Sequence, residues 1–355
     1  TLLFLLSLQK YQLQKQRREL IIGAVFLGLA MLTKYHGVLL VLTTLIYFHP
    51  FSKEKIIWRM SSWYIAMVVV LIIIMPNLVW NYQNNWASYI YQFGKGGGSG
   101  YLSIHYLLQF LGGQLLYLLP WNAILIIVAI WKFRHQNRSL LLFACVPIFI
   151  FSILGATREI MPHWTMYGWM LGLIFMAQLL TEMRRHVAAI IHVVNFTITN
   201  GLIVLLLIQS YTGFLNIDRK ADLTLDGQGW KQVIEHIQKK NLEYSFLAGH
   251  KWFTAGEISL AVNHNVPVLN FNKKHPHHFG FLHDPLKFKE ANGIFITTER
   301  FPVNVKKKLG SYFSEIIFID TVITTVLGKE RQRFYTWYCK EFTGYIPYKI
   351  GAFNI

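Results

Sequence analysis

Lys34 stands in "GLAMLTKYHGVLL" (28–40) with apolar runs on both sides and His36 two residues on. An ionisable group so placed is costly in a membrane and is usually functional. A compact ammonium suits contact with a phosphate. The bland alternative is a snorkelling lysine near a helix end, with His36 bonded to backbone. A second cluster, "REIMPHW" (158–164), holds Arg158, Glu159, His163 and Trp164 in a short segment between apolar blocks. Its arginine could grip a phosphate while Glu159 or His163 orients a hydroxyl. An Arg–Glu pair beside an interfacial tryptophan explains the same letters without a ligand. The third stretch, "NLVWNYQNNWASYIYQFGKGGGSG" (77–100), mixes Trp80, Trp86, Tyr82, Tyr89 and Tyr91 with Asn81, Asn84, Asn85 and Gln92. Sugars present apolar faces and hydroxyl edges, which such a surface would match. Lys95 and the glycines after it would then form a flap over the site. An aromatic belt at a membrane interface is the plainer reading.

These clusters need elements to carry them, and composition names the kind. The chain has 355 residues, 54% hydrophobic and 14% charged, against roughly 25% charged in a typical soluble domain. Its mean hydropathy is +0.36. The apolar surplus lies before residue 211, in blocks that approach the ~20 residues of a bilayer span. A multi-pass membrane domain over 1–210 followed by a polar domain over 211–355 is therefore expected. The opening "TLLFLLSL" reads as the tail of a helix whose start lies upstream of Thr1, so the chain is expected to be a fragment.

The formal net charge of +17 does not indicate nucleic acid, because of where the charge sits. Residues 1–210 carry 15 Lys+Arg and 4 Asp+Glu. Twelve of those cations fall in the segments 10–19, 52–59, 132–138 and 184–185, whereas 80–104 and 155–163 hold only Lys95 and Arg158. Basic loops stay cytoplasmic, so the alternation gives an orientation. Residues 20–48 read as a hairpin of two half-spans interrupted at "TKYHG". Spans over 61–79, 105–131, 139–154, 164–180 and 187–210 then alternate across the membrane. Loops 80–104 and 155–163 share the far side with everything after 211.

Beyond 211, helix-like and strand-like segments alternate: "GWKQVIEHIQKKN", "YSFLAG", "WFTAGEISLAVN", "VPVLNF", "GIFITT", "NVKKKLGSYF" and "EIIFIDTVITTV". A small α/β domain is expected. The four histidines of "KKHPHHFGFLHD" fit no zinc spacing, and "GKGGGSG" lacks the P-loop arrangement. Cys145 and Cys339 fall in different regions and form no disulfide or CxxC pattern.

Four segments in the same order, "GLAMLTKYHGVLL", "MPNLVWNYQNNWASYIYQFGKG", "FLGGQLLYLLPW" and "REIMPHW", resemble the bacterial membrane glycosyltransferases of the dolichyl-phosphate-mannose–protein mannosyltransferase type. The lipid A aminoarabinose transferases share that superfamily. "FTAGEISLAVNHNVPVLN" resembles its terminal domain. The resemblance implies a GT-C membrane fold and an extracytoplasmic active site in the inner membrane. It also implies a polyprenyl-phosphate-linked sugar donor, and transfer with inversion to a hydroxyl of a protein or glycolipid acceptor. Lys34 and Arg158 would face the lipid phosphate, with His36, Glu159, His163 and Trp164 shaping the site. The family's base is a carboxylate in an early far-side loop, but the first Asp here is Asp218, so that carboxylate is expected upstream of Thr1 and this chain alone should not catalyse. No cofactor is expected, and nothing in the sequence supports a divalent metal. The alternative is a transporter or lipid-sugar flippase, with "TKYHG" as a broken helix at its binding site.

Overall fold

The computed structural model describes residues 1–49, 55–94, 101–262, 266–272 and 277–347. The chain divides into two compact units, Thr1–His192 and Val193–Ile355.

The first unit is helical throughout. In chain order it comprises α1 (Leu2–Gln14), α2 (Arg17–Thr33), α3 (Val38–Tyr47), α4 (Ser61–Gln83), α5 (Ala87–Gly94), α6 (Ile104–Leu118), α7 (Pro120–Phe133), α8 (Arg138–Gly155), α9 (Met166–Glu182) and the start of α10 (Arg185–Thr212). Three of these, α4, α8 and α10, are long and apolar enough to cross a membrane. A fourth crossing arises if α6 and α7 count as one bent span. The chain is a membrane protein by these helices. Leu71, Ile72, Trp131 and Phe196 stand exposed on them, as lipid-facing side chains do. Where helices meet, small residues set the distance. A Cβ on Gly28 of α2 would lie 2.8 Å from Ile73 Cβ of α4. One on Gly168 of α9 would lie 2.7 Å from the Ala144 carbonyl of α8. The interior between α1 and α4 is built from Phe4, Leu27, Leu40 and Trp63, with Phe4 edge-on to Phe143 at 5.6 Å.

Two expectations for this unit need correction. The span expected over 105–131 is broken: α6 and α7 meet at 94°. Leu119 takes φ 66°, a left-handed turn, and Pro120, lacking an N–H, starts the next helix. The aromatic segment after 80 is not a loop. α4 runs through Trp80 and Asn81 to Gln83, and α5 follows after a turn in which Asn85 and Trp86 both have positive φ.

The second unit contains the rest of α10, then α11 (Trp230–Lys239), β1 (Phe246–Gly249), α12 (Trp252–Ala261), β2 (Val268–Asn270), α13 (Phe279–Leu282), β3 (Gly293–Thr298), α14 (Val305–Leu309), β4 (Phe313–Val326) and β5 (Lys329–Phe342). Its sheet runs β2-β1-β3-β5-β4, with the first three strands parallel and the last two an antiparallel hairpin. One sheet face packs Leu247, Ile294 and Ile296 against α11 and α12. The other packs Phe246, Ala248 and Phe295 with Val305 and Leu309 of α14. Strands buried on both faces read as unbroken apolar runs, which is how "GIFITT" and "VPVLNF" announce themselves. The hairpin partner β5 was not anticipated.

At the end of α10, Gly213 (φ 62°) closes the helix through its N–H to the Gln209 carbonyl at 2.8 Å. A Cβ there would strike the Arg331 guanidinium at 1.9 Å. Arg331 Nη2 donates to the Gln209 carbonyl at 2.9 Å and lies 3.6 Å from Asp222 Oδ2, which also accepts from Gln209 Nε2 at 2.9 Å. Both charged side chains are buried. Burial raises the Asp222 pKa, but hydrogen bonds from Thr224 and Gln209 and the Arg331 charge outweigh it and hold the group below its ordinary value.

Candidate functional site

The break between α2 and α3 is formed by the residues that the sequence singled out. Lys34 is extended (φ −159°), which ends α2, and Tyr35–Gly37 make one 3₁₀ turn before α3. Gly37 permits the close fold-back: a Cβ there would be 2.7 Å from Met31 Cα. That geometry leaves Lys34 at the surface and half-buries His36.

A cavity of about 540 Å³ opens beside this break, lined by Lys34, His36, Thr33, His163, Trp164 and Tyr167, with apolar walls from α2 and α9. The His36 ring meets Trp164 edge-on at 5.0 Å and Phe151 at 4.8 Å. His163 is held below the usual imidazole pKa by partial burial and then by the Lys34 charge. Cation, imidazoles and indole thus converge from two segments more than 120 residues apart in the chain.

The second segment is held by α6. Gln114 Nε2 donates to the Pro162 carbonyl at 3.1 Å, and Gln114 Oε1 accepts from Thr165 Oγ1 at 2.6 Å and Trp169 Nε1 at 2.7 Å. Pro162 also sits directly over Gly113, where a Cβ would be 2.6 Å from Pro162 Cγ. Ile160 is buried with Phe110 and Phe151. "GGQ" in α6 is therefore the seat of "MPHW". Gln114, Tyr35 and Tyr167 were not anticipated. A single buried amide in an apolar helix was the signal for Gln114.

The other expected residues lie elsewhere. Arg158 and Glu159 do not line the cavity; Glu159 is exposed and Gln109 Nε2 approaches its Oε1 at 3.5 Å. Trp80, Trp86 and Gln92 are exposed and also absent from the lining. Asn81, expected as a sugar contact, is fully buried. It accepts from the Ser88 N–H at 3.2 Å and donates to the Asn77 carbonyl at 2.9 Å, so its amide holds the α4–α5 turn instead. Tyr89 links the aromatic segment to the break: its ring is 5.3 Å from Tyr35, and its hydroxyl donates to Asn77 Oδ1 at 3.0 Å. Lys95 and the glycines after it lie outside the described residues, as do 273–276 of the histidine-rich stretch. In the remainder of that stretch, His277 packs on Trp252 at 4.7 Å and His278 on Phe279 at 4.3 Å. Among the described residues no three His, Cys, Asp or Glu side chains gather as a metal site.

Comparison with curated proteins gives no match, and comparison with solved structures gives none. A family model does match: over residues 1–80, from α1 through most of α4 and including Lys34 and His36, the chain is similar to the dolichyl-phosphate-mannose-protein mannosyltransferases.

Proposed function

We propose that this chain contributes the donor-phosphate site of a membrane glycosyltransferase that takes its sugar from a polyprenyl phosphate. The observation that carries the reading is the convergence of Lys34 and His36 with His163 and Trp164 on one cavity. The family similarity over residues 1–80 supports it. In the proposed reaction an acceptor hydroxyl oxygen attacks the anomeric carbon from the face opposite the phosphate. The carbon–oxygen bond to the phosphate breaks, the electron pair leaves with the lipid phosphate, and the configuration inverts. Lys34 stabilises the phosphate charge that develops, and Trp164 offers a plane to the sugar. The hydroxyl proton goes to a general base. No carboxylate lines the cavity among the described residues, so the family's carboxylate base has no counterpart around Lys34.

The finer assignments are part of the same proposal. The acceptor is a protein or glycolipid hydroxyl, and the membrane is a bacterial inner membrane. The basic segments at 10–19, 52–59, 132–138 and 184–185 favour a cytoplasmic side, with the cavity and residues 211–355 outside. Arg158 would meet the phosphate only after movement of its loop.

The test is transfer from a radiolabelled polyprenyl-phosphate sugar by the complete protein. Lys34→Ala should lower the rate by ~10²-fold or more, as the removal of one charge-stabilising group typically does. An unchanged rate in a folded variant removes Lys34 from the mechanism. The sharp α6–α7 bend favours a second reading as a transporter, since broken helices mark such sites. Turnover in detergent, without sealed compartments, decides for the enzyme.

A further inference from the structure

The second unit holds an arrangement that its folding does not explain. β1 lies between β2 and β3 in the parallel part of the sheet, so the chain leaves β1 toward one side and returns on the other. In open α/β sheets this reversal leaves a crevice beyond the carboxyl ends of the strands, where ligands bind. Here β1 ends at Gly249, His250 follows it, and α12 starts three residues after Gly249. Gly249 allows the helix to come close: a Cβ there would lie 2.8 Å from Thr254 Oγ1 and 3.0 Å from the Ala255 nitrogen.

The charges around this helix start are reversed from the stable pattern. Helix N-termini favour carboxylates and disfavour cations. α12 has no acidic residue in its first turn and carries Lys251 at its N-cap. Lys308 of α14, which packs on the other sheet face, is held below its ordinary pKa by burial and then by the Lys251 charge. Neither lysine has a carboxylate partner among the described residues. Lys251 Nζ instead lies 5.9 Å from the Phe301 ring, and Phe301 packs on Phe253 at 4.8 Å.

An independent observation comes from His250. It is 4% exposed, and its Nδ1 is buried without a hydrogen-bond partner. Such an atom costs ~1–3 kcal/mol unless something satisfies it. The ring lies 6.3 Å from Phe295 on the α14 face of the sheet, where Lys308 and Lys251 both act on it. A buried imidazole, two ammonium groups and the first-turn N–H groups of a ten-residue helix are therefore gathered beyond the carboxyl end of β1.

We propose that this crevice at the β1–α12 junction binds a phosphomonoester dianion. Lys251 and Lys308 supply the charge, the first-turn N–H groups of α12 and His250 Nδ1 donate to the oxygens, and Phe253 and Phe301 form an apolar wall for the esterified group. A dianion with three acceptor oxygens fits this donor set better than a carboxylate. The phosphate is either that of a soluble ester or a lipid headgroup. The site is separate from the Lys34 cavity, and its failure would leave the transferase reading untouched.

The test is calorimetric titration of inorganic phosphate into the complete protein in detergent, compared with Lys251→Gln, Lys308→Gln and the control Lys306→Gln on the exposed side of α14. Saturable binding is expected. It should weaken at least ~10-fold in each of the first two variants, the loss of a charge-assisted contact, and hold in the control. Repeating the titration in nanodiscs of phosphatidylcholine, with or without phosphatidic acid, separates the sources. Loss of phosphate binding only with phosphatidic acid assigns a lipid headgroup; equal binding in both assigns a soluble ester. No saturable binding by the unmodified protein, or equal binding by all three variants, overturns the proposal.

Discussion

The two units solve opposite solvent problems with the same side chains. In the first, large apolar residues face outward: Ile72 is 63% exposed, and glycines such as Gly28 and Gly168 set the closest approaches around an interior that includes Phe4 and Trp63. In the second, beyond α10, Phe334 is fully buried, edge-on to Trp230 at 4.8 Å, and charged side chains such as Lys340 and Glu315 stand on the surface. Hydrophobic burial therefore drives the second unit's folding, whereas close backbone approach organises the first. An apolar residue means something different in each half of one chain.

Substitutions can break that comparison. Phe334→Ala should cost the second unit ~3–5 kcal/mol, because it empties a closed core, whereas Ile72→Ala should cost less than ~0.5 kcal/mol, since lipid refills the gap. Hydrogen exchange at the β3 amides would read the first and thermal stability in detergent the second. Equal losses would abolish the distinction.

Acid offers the next largest effect. His250 is pushed down to about 4 by burial and then by Lys308 and Lys251, so the folded state favours its neutral form. Stability from this group is complete above its free value near 6.5 and is lost as pH falls toward 4. The loss should reach roughly 2–3 kcal/mol, seen as a falling urea midpoint of the second unit. His250→Asn should flatten the slope.

Adjacent glycines in α6 sharpen the first unit's logic. Gly113→Ala forces Pro162 aside and should cost about 1–3 kcal/mol while disturbing His163 and the transfer rate. Gly112 faces open space, so Gly112→Ala should leave both untouched. At the small end, Lys340 and Glu315 pair across β5 and β4 at 2.7 Å on the surface, and Lys340→Ala should give no measurable change in unfolding.

The break that forms one wall of the candidate cavity was legible because its signals are local. A lysine and a histidine inside an apolar run announce a break, and the structure breaks α2 from α3 at Lys34. "REIMPHW" was legible as a polar cluster, but its division was not. His163 and Trp164 face the cavity while Arg158 and Glu159 do not, which depends on Gln114 gripping the Pro162 carbonyl from another helix. The α6–α7 bend was hidden because Leu119 adopts positive φ with no glycine to mark it. β5 was hidden by its charges: "KERQRFYTWYCKEF" alternates, but its polar positions obscure the strand, and only the Leu327–Gly328 turn, with φ 51° and 75°, hinted at a hairpin. Asn81 misled because an amide among aromatics suits a sugar and a tight turn equally well.

The knot of Gln209, Asp222 and Arg331 has a consequence for biosynthesis. Gln209 and Arg331 are 122 residues apart. At ~5–20 residues per second, the ribosome needs about ten seconds to deliver the arginine after the glutamine has emerged. During that interval Asp222 lacks its guanidinium partner, and the Gln209 carbonyl keeps only the Gly213 N–H. The nascent chain therefore passes through a window in which the second unit cannot close. Chains stalled before Arg331 should therefore be cleaved faster in the second unit by an added protease than those stalled just after β5.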